Sequence, residues 1–442
     1  MTAPVRVPPR RTDEVSDGVP RGALAYASDD GSLVVCNDYD AGRSVMGPLP
    51  GLPTLRTVAE TWRRSSSPGN SRPGGPADAI DGYGVFTFPY GPISMGVPES
   101  GKFEVRTYGE RVLGLSPVAG FKSRRILSSV VGRTVPDAAL RVERLAGNFS
   151  AAHCAAFLAA TESAEGRSLA REELWVRALG QELQRVYNHV HVLARVAEAA
   201  AQNVGAAQAH ALAEDLLRLQ GSVFGHRWLF GAFLPGGPRR TTDRAARGML
   251  AARLTPLART FSNLWELFLG SRTFVDRIQS TCVVPRAAAL QWGAVGPTLR
   301  ASGVDWDDRL RIPTVPYNDL FLDLPNESDG DALARLLVRA HEVRASFLLL
   351  EQLLDRWPSE AGSGEPPAES VAPGRGLGRV ESPSGDLVYD VRVQDGRVAG
   401  IGMRSASQAN FPVFARGLRD GVFTDFHFAW ESFGIVFAEV DA

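Results

Sequence analysis

The strongest hydrophobic pattern in the chain lies at its centre, from about Arg171 to Arg240. Apolar residues recur there at alternating steps of four and three, a spacing that places them on one face of an α-helix. This face consists of Leu179, Leu183, Val186, Val190, Leu193 and Ala197. A second series of the same kind follows at Leu212, Leu216, Leu219 and Val223. The Pro-Gly-Gly-Pro segment at 235–238 then ends the pattern, so two long helices are predicted at the centre of a mainly helical core.

Other patterned stretches surround these two helices. Amphipathic helices are predicted over about 242–270 and 330–357, and Pro256 should kink the first of them or split it in two. Strand-like segments joined by turns occupy about 84–120 and recur in 377–442. The chain therefore combines a helical centre with β-structure on both sides.

Two segments rich in Ser, Pro and Gly divide the chain, and their composition is typical of linkers. The predicted organisation is a poorly defined N-terminal segment with its linker at 1–80, a β-hairpin region plus helical core at 81–357, a linker at 358–376, and a β-containing segment at 377–442 packed on the core. The fold class is α+β: a long-helix bundle core with an N-terminal β-rich segment and a small C-terminal β-containing segment.

Composition narrows the functional classes. The chain has 442 residues, 44% of them hydrophobic, which is enough for a substantial core. A formal net charge of -1 gives no global field that would attract nucleic acid, so no nucleic-acid partner is expected. The three cysteines, Cys36, Cys154 and Cys282, form no CxxC pair, so neither a disulfide framework nor a locally spaced zinc or iron–sulfur site is predicted. No apolar run approaches the roughly 20 residues that span a bilayer, so any membrane association should come through a partner.

Four segments, taken in order, resemble the large subunit of membrane-bound, energy-converting nickel–iron hydrogenases and the homologous quinone-site subunit of respiratory complex I. They are RALGQELQRVYNHVHVLA at 177–194, FGHRWLFGAFLPGGPRR at 224–240, GAVGPTLRASGV at 293–304 and RVQDGRVAGIGMRSASQANFPVFARGLRDG at 392–421. They are similar to the family patterns LLAELERxxNHL, GHRxLRGxxxPGGVRR, GxVGPxARASGV and RVxxGRxxRxRxRSPSFxNxxALPxAxxG. The resemblance covers about 85–442 and implies the fold of a hydrogenase large subunit.

The chain departs from this family at the metal ligands. In the hydrogenases two CxxC motifs bind the nickel–iron pair, and the matching stretches here read RLAGNFSAAH at 144–153 and SFGIVFAEVD at 432–441. The four cysteine positions are held by Ala146, Phe149, Val436 and Glu439. A nickel–iron centre requires thiolates. We therefore expect that the centre is absent and that this chain binds no cofactor itself.

The quinone-facing residues of the complex I branch are also not recognisable. The resemblance implies a histidine on an N-terminal hairpin and a tyrosine near the first lost CxxC. The hairpin stretch GPISMGVPESGKFEV at 91–105 has no histidine, and RLAGNFS at 144–150 has no tyrosine. A quinone remains a possible acceptor only by family analogy. The chain also has no glycine-rich dinucleotide-binding loop between a strand and a helix, although the family includes NADH-quinone oxidoreductases and the resemblance carries NAD binding with it.

Several residues are candidates because they match family positions. Arg144 and His153 match the cavity wall, where they would keep a proton or substrate contact or remain as a structural hydrogen-bonded pair. Arg124, Arg239 and Arg240 match arginines that face the last iron–sulfur cluster of the small partner subunit, where a positive charge raises its reduction potential. The alternative for these arginines is two solvated basic loop ends.

A polar strip lies beside the apolar face of the first central helix. Glu182, Arg185 and His189 recur there at steps of three and four. Carboxylate and imidazole groups at helical spacing are suited to a proton relay. They are equally suited to an interhelical polar network or a charge ladder along one helix. Both interpretations stay open at this point.

The resemblance implies a peripheral large subunit on the cytoplasmic face of the plasma membrane, held there by antiporter-like membrane subunits. It further implies electron transfer from an iron–sulfur cluster in a small partner subunit toward a quinone-like acceptor. The alternative is a non-catalytic structural or coupling subunit, inactive on its own. An open cavity lined by Arg144 and His153 would favour the redox subunit. A cavity filled by Phe149, Phe433, Val436 and Phe437 would favour the structural one.

Overall fold

The computed structural model describes residues 24–28, 33–39, 43–47, 82–94, 97, 99–238, 243–312, 316–358 and 374–442. Its helices are α1 (Ile126–Val130), α2 (Val135–Val142), α3 (Ser150–Glu165), α4 (Arg171–Ala199), α5 (Asn203–Phe224), α6 (Arg244–Gly270), α7 (Arg272–Ile278), α8 (Arg286–Trp292), α9 (Gly296–Ala301), α10 (Asp308–Arg311), α11 (Ala332–Asp355), α12 (Ala406–Gly417), α13 (Phe426–Phe433) and α14 (Phe437–Val440). The longest of these lie where the apolar periodicity predicts helices.

The strands form small antiparallel sheets. They are β1 (Leu24–Ala27), β2 (Val34–Asp38), β3 (Arg43–Gly47), β4 (Val85–Tyr90), β5 (Lys102–Tyr108), β6 (Arg111–Val118), β7 (Phe233–Leu234), β8 (Gly237–Pro238), β9 (Gly374–Ser382), β10 (Gly385–Gln394) and β11 (Arg397–Arg404). Three sheets have three strands each, in the orders β1-β2-β3, β4-β5-β6 and β11-β10-β9, and β7 pairs with β8. The predicted α+β class, with β-structure on both sides of a helical core, is confirmed.

Helix α4 is the centre of the molecule. It packs against α5, α11 and α13, and 21 of its 29 residues are buried. Its apolar face, including Leu179, Leu183 and Val186, belongs to the main hydrophobic cluster. The buried set also includes Glu182, Arg185 and His189. A helix buried on nearly all sides must satisfy such polar groups internally, and this requirement positions the charged residues described below.

The C-terminal sheet packs on α3 through small residues. Gly374, Gly376 and Gly378 alternate along β9, so they share one face of the strand. A Cβ atom added to them would lie 1.9 to 2.1 Å from the carbonyl oxygens of Ala164, Ala160 and Ala156, respectively. Four helical residues advance about 6 Å, and two strand residues advance about 6.6 Å. The two series therefore stay in step and allow the backbones of strand and helix to touch.

Two boundaries differ from the sequence expectation. Helix α6 runs without interruption through Pro256, so of the two predicted alternatives, a kink or a split, the split is wrong. The Thr260 hydroxyl donates a hydrogen bond to the Pro256 carbonyl oxygen at 3.1 Å. Strand β9 begins at Gly374, inside the end of the predicted linker, because its glycines serve close packing instead of flexibility. The predicted linker residues 64–80 lie outside the described residues, as do 359–373.

The sequence predicts no fold for residues 24–47, and their described part forms the sheet β1-β2-β3 beside the C-terminal sheet. The Tyr26 hydroxyl donates to Asp390 at 3.0 Å, and Arg379 donates to Asn37 at 2.9 Å. Polar contacts thus join the two ends of the chain. Within the described ranges, no helix is both long and apolar enough to cross a lipid bilayer.

Candidate functional site

Two segments that are remote in sequence meet at one surface cavity of about 440 Å³. One is the loop before α3, and the other is the loop before α14. We call this space the Ala146–Val436 cavity. Its lining consists of Glu99, Lys122, Arg124, Arg144, Leu145, Ala146, Gly147, Asn148, Phe230, Val436 and Ala438.

The four positions that match metal-binding cysteines gather at this place. Ala146 and Val436 form part of the cavity wall. Phe149 is fully buried and belongs to the main hydrophobic cluster. Glu439 lies one layer behind the wall and is 1% exposed. These side chains together offer one carboxylate and no sulfur.

The Glu439 carboxylate is already engaged by neighbours. One oxygen lies 3.0 Å from Nε2 of His153, and the other accepts a hydrogen bond from the Ser407 hydroxyl. Nδ1 of His153 is 2.9 Å from the Tyr389 hydroxyl, and burial raises the pKa of Tyr389 well above its usual value. The result is a buried chain from β10 through α3 to α14. His153 is 0% exposed and therefore stands behind the cavity, not in its wall.

Loop contacts hold the cationic side chains of the cavity. Asp441 accepts hydrogen bonds from the backbone N–H groups of Gly120 and Lys122, both at 2.6 Å. Arg124 donates to the carbonyl oxygen of Leu145. The cations are thus attached to a loop that is itself tied to the C-terminal end of the chain.

Arg144 is held on the opposite side of the cavity. Its guanidinium lies 4.6 Å from the ring centroid of Phe230, a cation–π distance, and it pairs with Glu143. Glu143 also accepts a hydrogen bond from the Gly231 N–H at 2.7 Å, and burial raises its pKa. The stretch 224–240 therefore contributes to the cavity through Phe230 and to its support through Gly231.

One carboxyl group faces the cavity. Glu99 lines it and accepts a hydrogen bond from the Ala438 N–H at 3.4 Å. Burial is the largest cause of a raised pKa for Glu99, and nearby Lys122 opposes it. A carboxyl group of this kind holds a proton more readily than an exposed one and can donate it to a bound molecule.

Behind the cavity, the predicted polar strip of α4 is part of a buried ionic network. Glu182 accepts hydrogen bonds from Tyr317 at 2.6 Å and Ser346 at 2.6 Å, and both of its oxygens face Arg309. Its pKa is lowered: burial acts in the opposite direction, but the charges of Arg309 and Arg185 outweigh it. Arg185 lies 3.4 Å from Glu182.

His189 belongs to the same network through α11. Its Nδ1 accepts a hydrogen bond from Arg339 at 3.0 Å, so the proton sits on Nε2, which donates to Glu342 at 2.9 Å. Burial lowers the pKa of His189 to about 4. The ring is therefore neutral at physiological pH and serves as a fixed donor and acceptor.

Sequence reasoning missed the partners of this network. Arg300, from the segment 293–304, donates to Glu342 at 2.6 Å and to Glu381 at 2.9 Å. Burial raises the pKa of Glu381 to about 7, and the charge of Asp307 adds to the rise. Arg300 lies within the family-like segment GAVGPTLRASGV, so the resemblance could have marked it as a candidate residue. The sequence around Arg300 does not indicate which carboxylates it contacts.

The remaining predicted residues are distributed differently. Arg124 and Arg144 line the cavity. Arg239 and Arg240 lie outside the described residues. The three cysteines are buried and free, and burial raises the pKa of Cys154. Across the described ranges no group of three or more His, Cys, Asp or Glu side chains is placed to hold a metal ion.

A second cavity, of about 850 Å³, was not anticipated from the sequence. It lies between the β4–β5 hairpin and the end of α4, and its lining includes Tyr90, Ile93, Arg195 and His427. Tyr90 and His427 form a hydrogen bond. Beside it, Arg195 donates to Glu431 at 3.0 Å, and burial raises the pKa of Glu431 to about 7.

The chain is similar in sequence to known subunits of respiratory and hydrogenase complexes. Residues 206–370 match the family described as "Respiratory-chain NADH dehydrogenase, 49 Kd subunit". The chain is 28% identical over 324 residues to the membrane-bound hydrogenase subunit alpha of Pyrococcus furiosus, covering 70% of this chain and 76% of that protein. It is 28% identical over 349 residues to an NADH-quinone oxidoreductase subunit of a Roseiflexus species, covering 75% of this chain and 92% of that protein.

Two further proteins extend the comparison. A carbon monoxide-induced hydrogenase of Rhodospirillum rubrum is 26% identical over 312 residues, covering 69% of this chain and 84% of that protein. A chain in the structure of the membrane-bound sulfane sulfur reductase, an archaeal respiratory membrane complex, has a TM-score of 0.77 at 23% identity. That match covers 82% of this chain and 100% of the other, and it establishes a shared fold.

Proposed function

We propose that this chain, a relative of the 49 kDa subunit of respiratory-chain NADH dehydrogenase and of the alpha subunit of membrane-bound hydrogenases, transfers electrons from a partner's iron–sulfur cluster to a quinone-like acceptor in the Ala146–Val436 cavity. It is a subunit of a complex I-like or hydrogenase-like respiratory complex. The transfer uses no nickel–iron centre, and this chain supplies the binding site, the electrostatics and a proton.

The cavity is the observation that carries the proposal. It is open at the surface, its volume of about 440 Å³ suits a small molecule, and its wall combines apolar groups with charged ones. Reducing a quinone-like acceptor by two electrons leaves negative charge on its two oxygens, which then take up two protons. Lys122, Arg124 and Arg144 would stabilise that charge as it develops. Glu99, with its raised pKa, is placed to donate one of the protons.

The absence of a nickel–iron centre follows from the side chains at the four matching positions. The side chains of Ala146, Phe149 and Val436 have no atom that can coordinate a metal. Glu439 accepts a hydrogen bond from Ser407 and has its other oxygen 3.0 Å from Nε2 of His153. Soft thiolates are what such a centre needs. Elemental analysis of the purified chain should find no stoichiometric nickel, and one nickel per chain would refute this part of the proposal.

The proposed partners are a small subunit that carries the iron–sulfur cluster and antiporter-like membrane subunits, with this chain docked on the cytoplasmic side. Arg124 would face the cluster. Affinity purification of the tagged chain from solubilised membranes should recover both kinds of subunit. Recovery of the chain alone, under conditions that keep respiratory complexes intact, would contradict the assignment.

A non-catalytic coupling role is the second candidate, and one observation favours it. His153 is a fully buried imidazole that does not line the cavity, and its Nε2 lies 3.0 Å from the Glu439 carboxylate. The proton route used by an active ancestor would then be closed. In this case the chain would transmit structural changes between its partners without reducing anything.

A cavity-filling substitution separates the two candidates. Val436→Phe adds an aromatic ring in the wall and should abolish reduction of a soluble naphthoquinone by the purified complex. Val204→Phe, on the 72% exposed start of α5, is the matched control and should leave the rate unchanged. Undiminished naphthoquinone reduction in the Val436→Phe complex would rule out this cavity as the acceptor site.

A further inference from the structure

We propose that the Ala146–Val436 cavity selects acceptors that carry a negative charge beside the reducible group, such as a quinone with a sulfonate or carboxylate substituent. This inference deepens the proposed function, on which it rests, by naming the chemical class of its substrate. A neutral, purely apolar quinone is the class that it excludes as the preferred ligand.

The charges that line the cavity are unequal. Lys122, Arg124 and Arg144 supply three positive charges, and Glu99 is the one acidic lining residue. Because Arg144 forms an ion pair with Glu143, the charges of Lys122 and Arg124 against at most one negative charge on Glu99 leave a formal balance of at least +1 on the wall. A concave site whose charges have one sign focuses its electrostatic field on the ligand and favours a ligand of opposite charge. This balance contrasts with the whole chain, whose net charge is -1.

The nearby carboxylates lie behind the wall, and one of them, Glu143, offsets the charge of Arg144. Glu143 accepts from the Gly231 N–H and pairs with Arg144. Asp441 accepts two backbone N–H bonds from the loop that carries Lys122. The third, Glu439, faces His153 and Ser407. Their effect is to position the cationic loops, although they weaken the field at longer range.

The backbone that carries Lys122 and the side chains of Arg124 and Arg144 are held in place before a ligand arrives. The 120–122 loop is tied to Asp441, Arg124 is bonded to the Leu145 carbonyl, and Arg144 stacks on Phe230. Fixed donors lose little entropy when a ligand binds. A sulfonate or carboxylate can accept several hydrogen bonds from such groups at once, whereas a quinone carbonyl offers one weaker acceptor.

Two probes that differ mainly in charge test the inference: 1,4-naphthoquinone-2-sulfonate and 2-methyl-1,4-naphthoquinone. Titration calorimetry with the full chain should show that the sulfonate binds about tenfold tighter than the neutral quinone at low ionic strength. This factor corresponds to the combined free energy of two partly exposed ion pairs. The preference should shrink as salt is added. Binding is measured without electron transfer, so its result does not depend on whether the proposed reduction occurs.

Variants locate the effect. Lys122→Gln together with Arg124→Gln should remove most of the preference for the sulfonate while the neutral probe binds as before. Arg218→Gln together with Arg272→Gln makes the same change in net charge at two exposed helical positions and should leave the preference intact. The single variant Lys122→Gln removes no hydrogen bond found among the described residues and should lose part of the preference for the sulfonate. It provides a test of the inference even if the double variant does not fold.

The possible outcomes distinguish this inference from the proposed electron transfer. A preference that is lost only in the cavity variants supports the inference. Equal binding of both probes, or a preference that the control pair also loses, overturns it and leaves the proposed electron transfer standing. Selective binding of the sulfonate without reduction in the purified complex would instead defeat the proposed function and leave the anion site in place.

Discussion

Arg300 is the residue whose removal tests the buried network most directly. It is 0% exposed, and its guanidinium donates to Glu342, to Glu381 and to the Trp306 carbonyl oxygen at 2.6 to 3.0 Å. Arg300→Met keeps a side chain of similar length and removes the charge. Three buried carboxylates, those of Glu342, Glu381 and Asp307, would then lose the cation that they share.

The magnitude follows from the burial of these groups. Removing one partner of a fully buried ion pair leaves an uncompensated charge and typically costs about 3 to 5 kcal/mol of folding free energy. Arg300 lies within ion-pair distance of three buried carboxylates, Glu342, Glu381 and Asp307, so we expect the upper half of that range near pH 7.5. The deficit should shrink on acidification. Without the guanidinium, the pKa of Glu381, which burial already raises to about 7, rises further in the folded state. The pKa of Glu342 also rises, because the charge of Arg300 is what outweighs burial and holds it well below its usual value. A group whose folded pKa exceeds its unfolded one stabilises the fold at low pH and loses that contribution as the pH rises through the folded pKa.

Urea unfolding followed by circular dichroism measures this effect. The free energy of unfolding should fall by about 4 kcal/mol at pH 7.5 and recover part of that loss near pH 5. Arg218→Met is the matched control: Arg218 is 72% exposed, lies 2.9 Å from Glu214, and should lose less than about 0.5 kcal/mol. A loss below about 1 kcal/mol for Arg300→Met, or a deficit that grows on acidification, would refute the reasoning.

Three further predictions concern other parts of the molecule. Gly378→Ala should lower the free energy of unfolding by about 3 kcal/mol or more, because its Cβ would lie 1.9 Å from the Ala156 carbonyl oxygen, while Gly114→Ala, with no atom within 4 Å, should change it by less than about 0.5 kcal/mol. His189 has its pKa lowered to about 4 from 6.5, so its contribution to stability is lost as the pH falls from 6.5 through 4. His189→Gln should flatten the dependence of unfolding free energy on pH in that window by up to about 1.4 kcal/mol per pH unit, and an unchanged slope would count against a neutral buried ring. The pKa shift of Glu431 has the opposite effect on the pH dependence of stability. Its pKa is raised from 4.5 to about 7, so its contribution to the free energy of unfolding is complete below pH 4.5 and is lost as the pH rises to 7. Glu431→Gln should therefore lessen the fall in stability between pH 4.5 and 7, measured by the same urea titrations.

Most of the architecture could be predicted because its cause is local. The steps of four and three that include Leu179, Leu183 and Val186 place apolar groups on one side of α4 wherever that helix lies. The alternation of buried and half-buried residues in β5 is likewise a property of that strand alone. Pro256 shows the limit of such rules, since packing of α6 against α5 and α11 outweighs the local cost of one proline.

The candidate site could be predicted only in part. Ala146 and Val436 were identified by their motifs, and the structure brings them to one cavity wall. Glu99 and Lys122 were missed, because nothing in their own segments marks them as neighbours of that wall. The loop that carries Lys122 reaches the site through Asp441, 319 residues further along the chain.

The sequence alone determined the long central helices, the strands of the C-terminal segment, the family resemblance and the loss of the thiolates, since these depend on residue type and short-range spacing. Tertiary structure decided which charges meet: Arg300 with Glu342 and Glu381, Glu439 with His153, and three cations around one cavity. The physical reason is that a buried charge must find its partner across the packed core. That partner comes from whichever segment the packing brings near, and no local pattern specifies it.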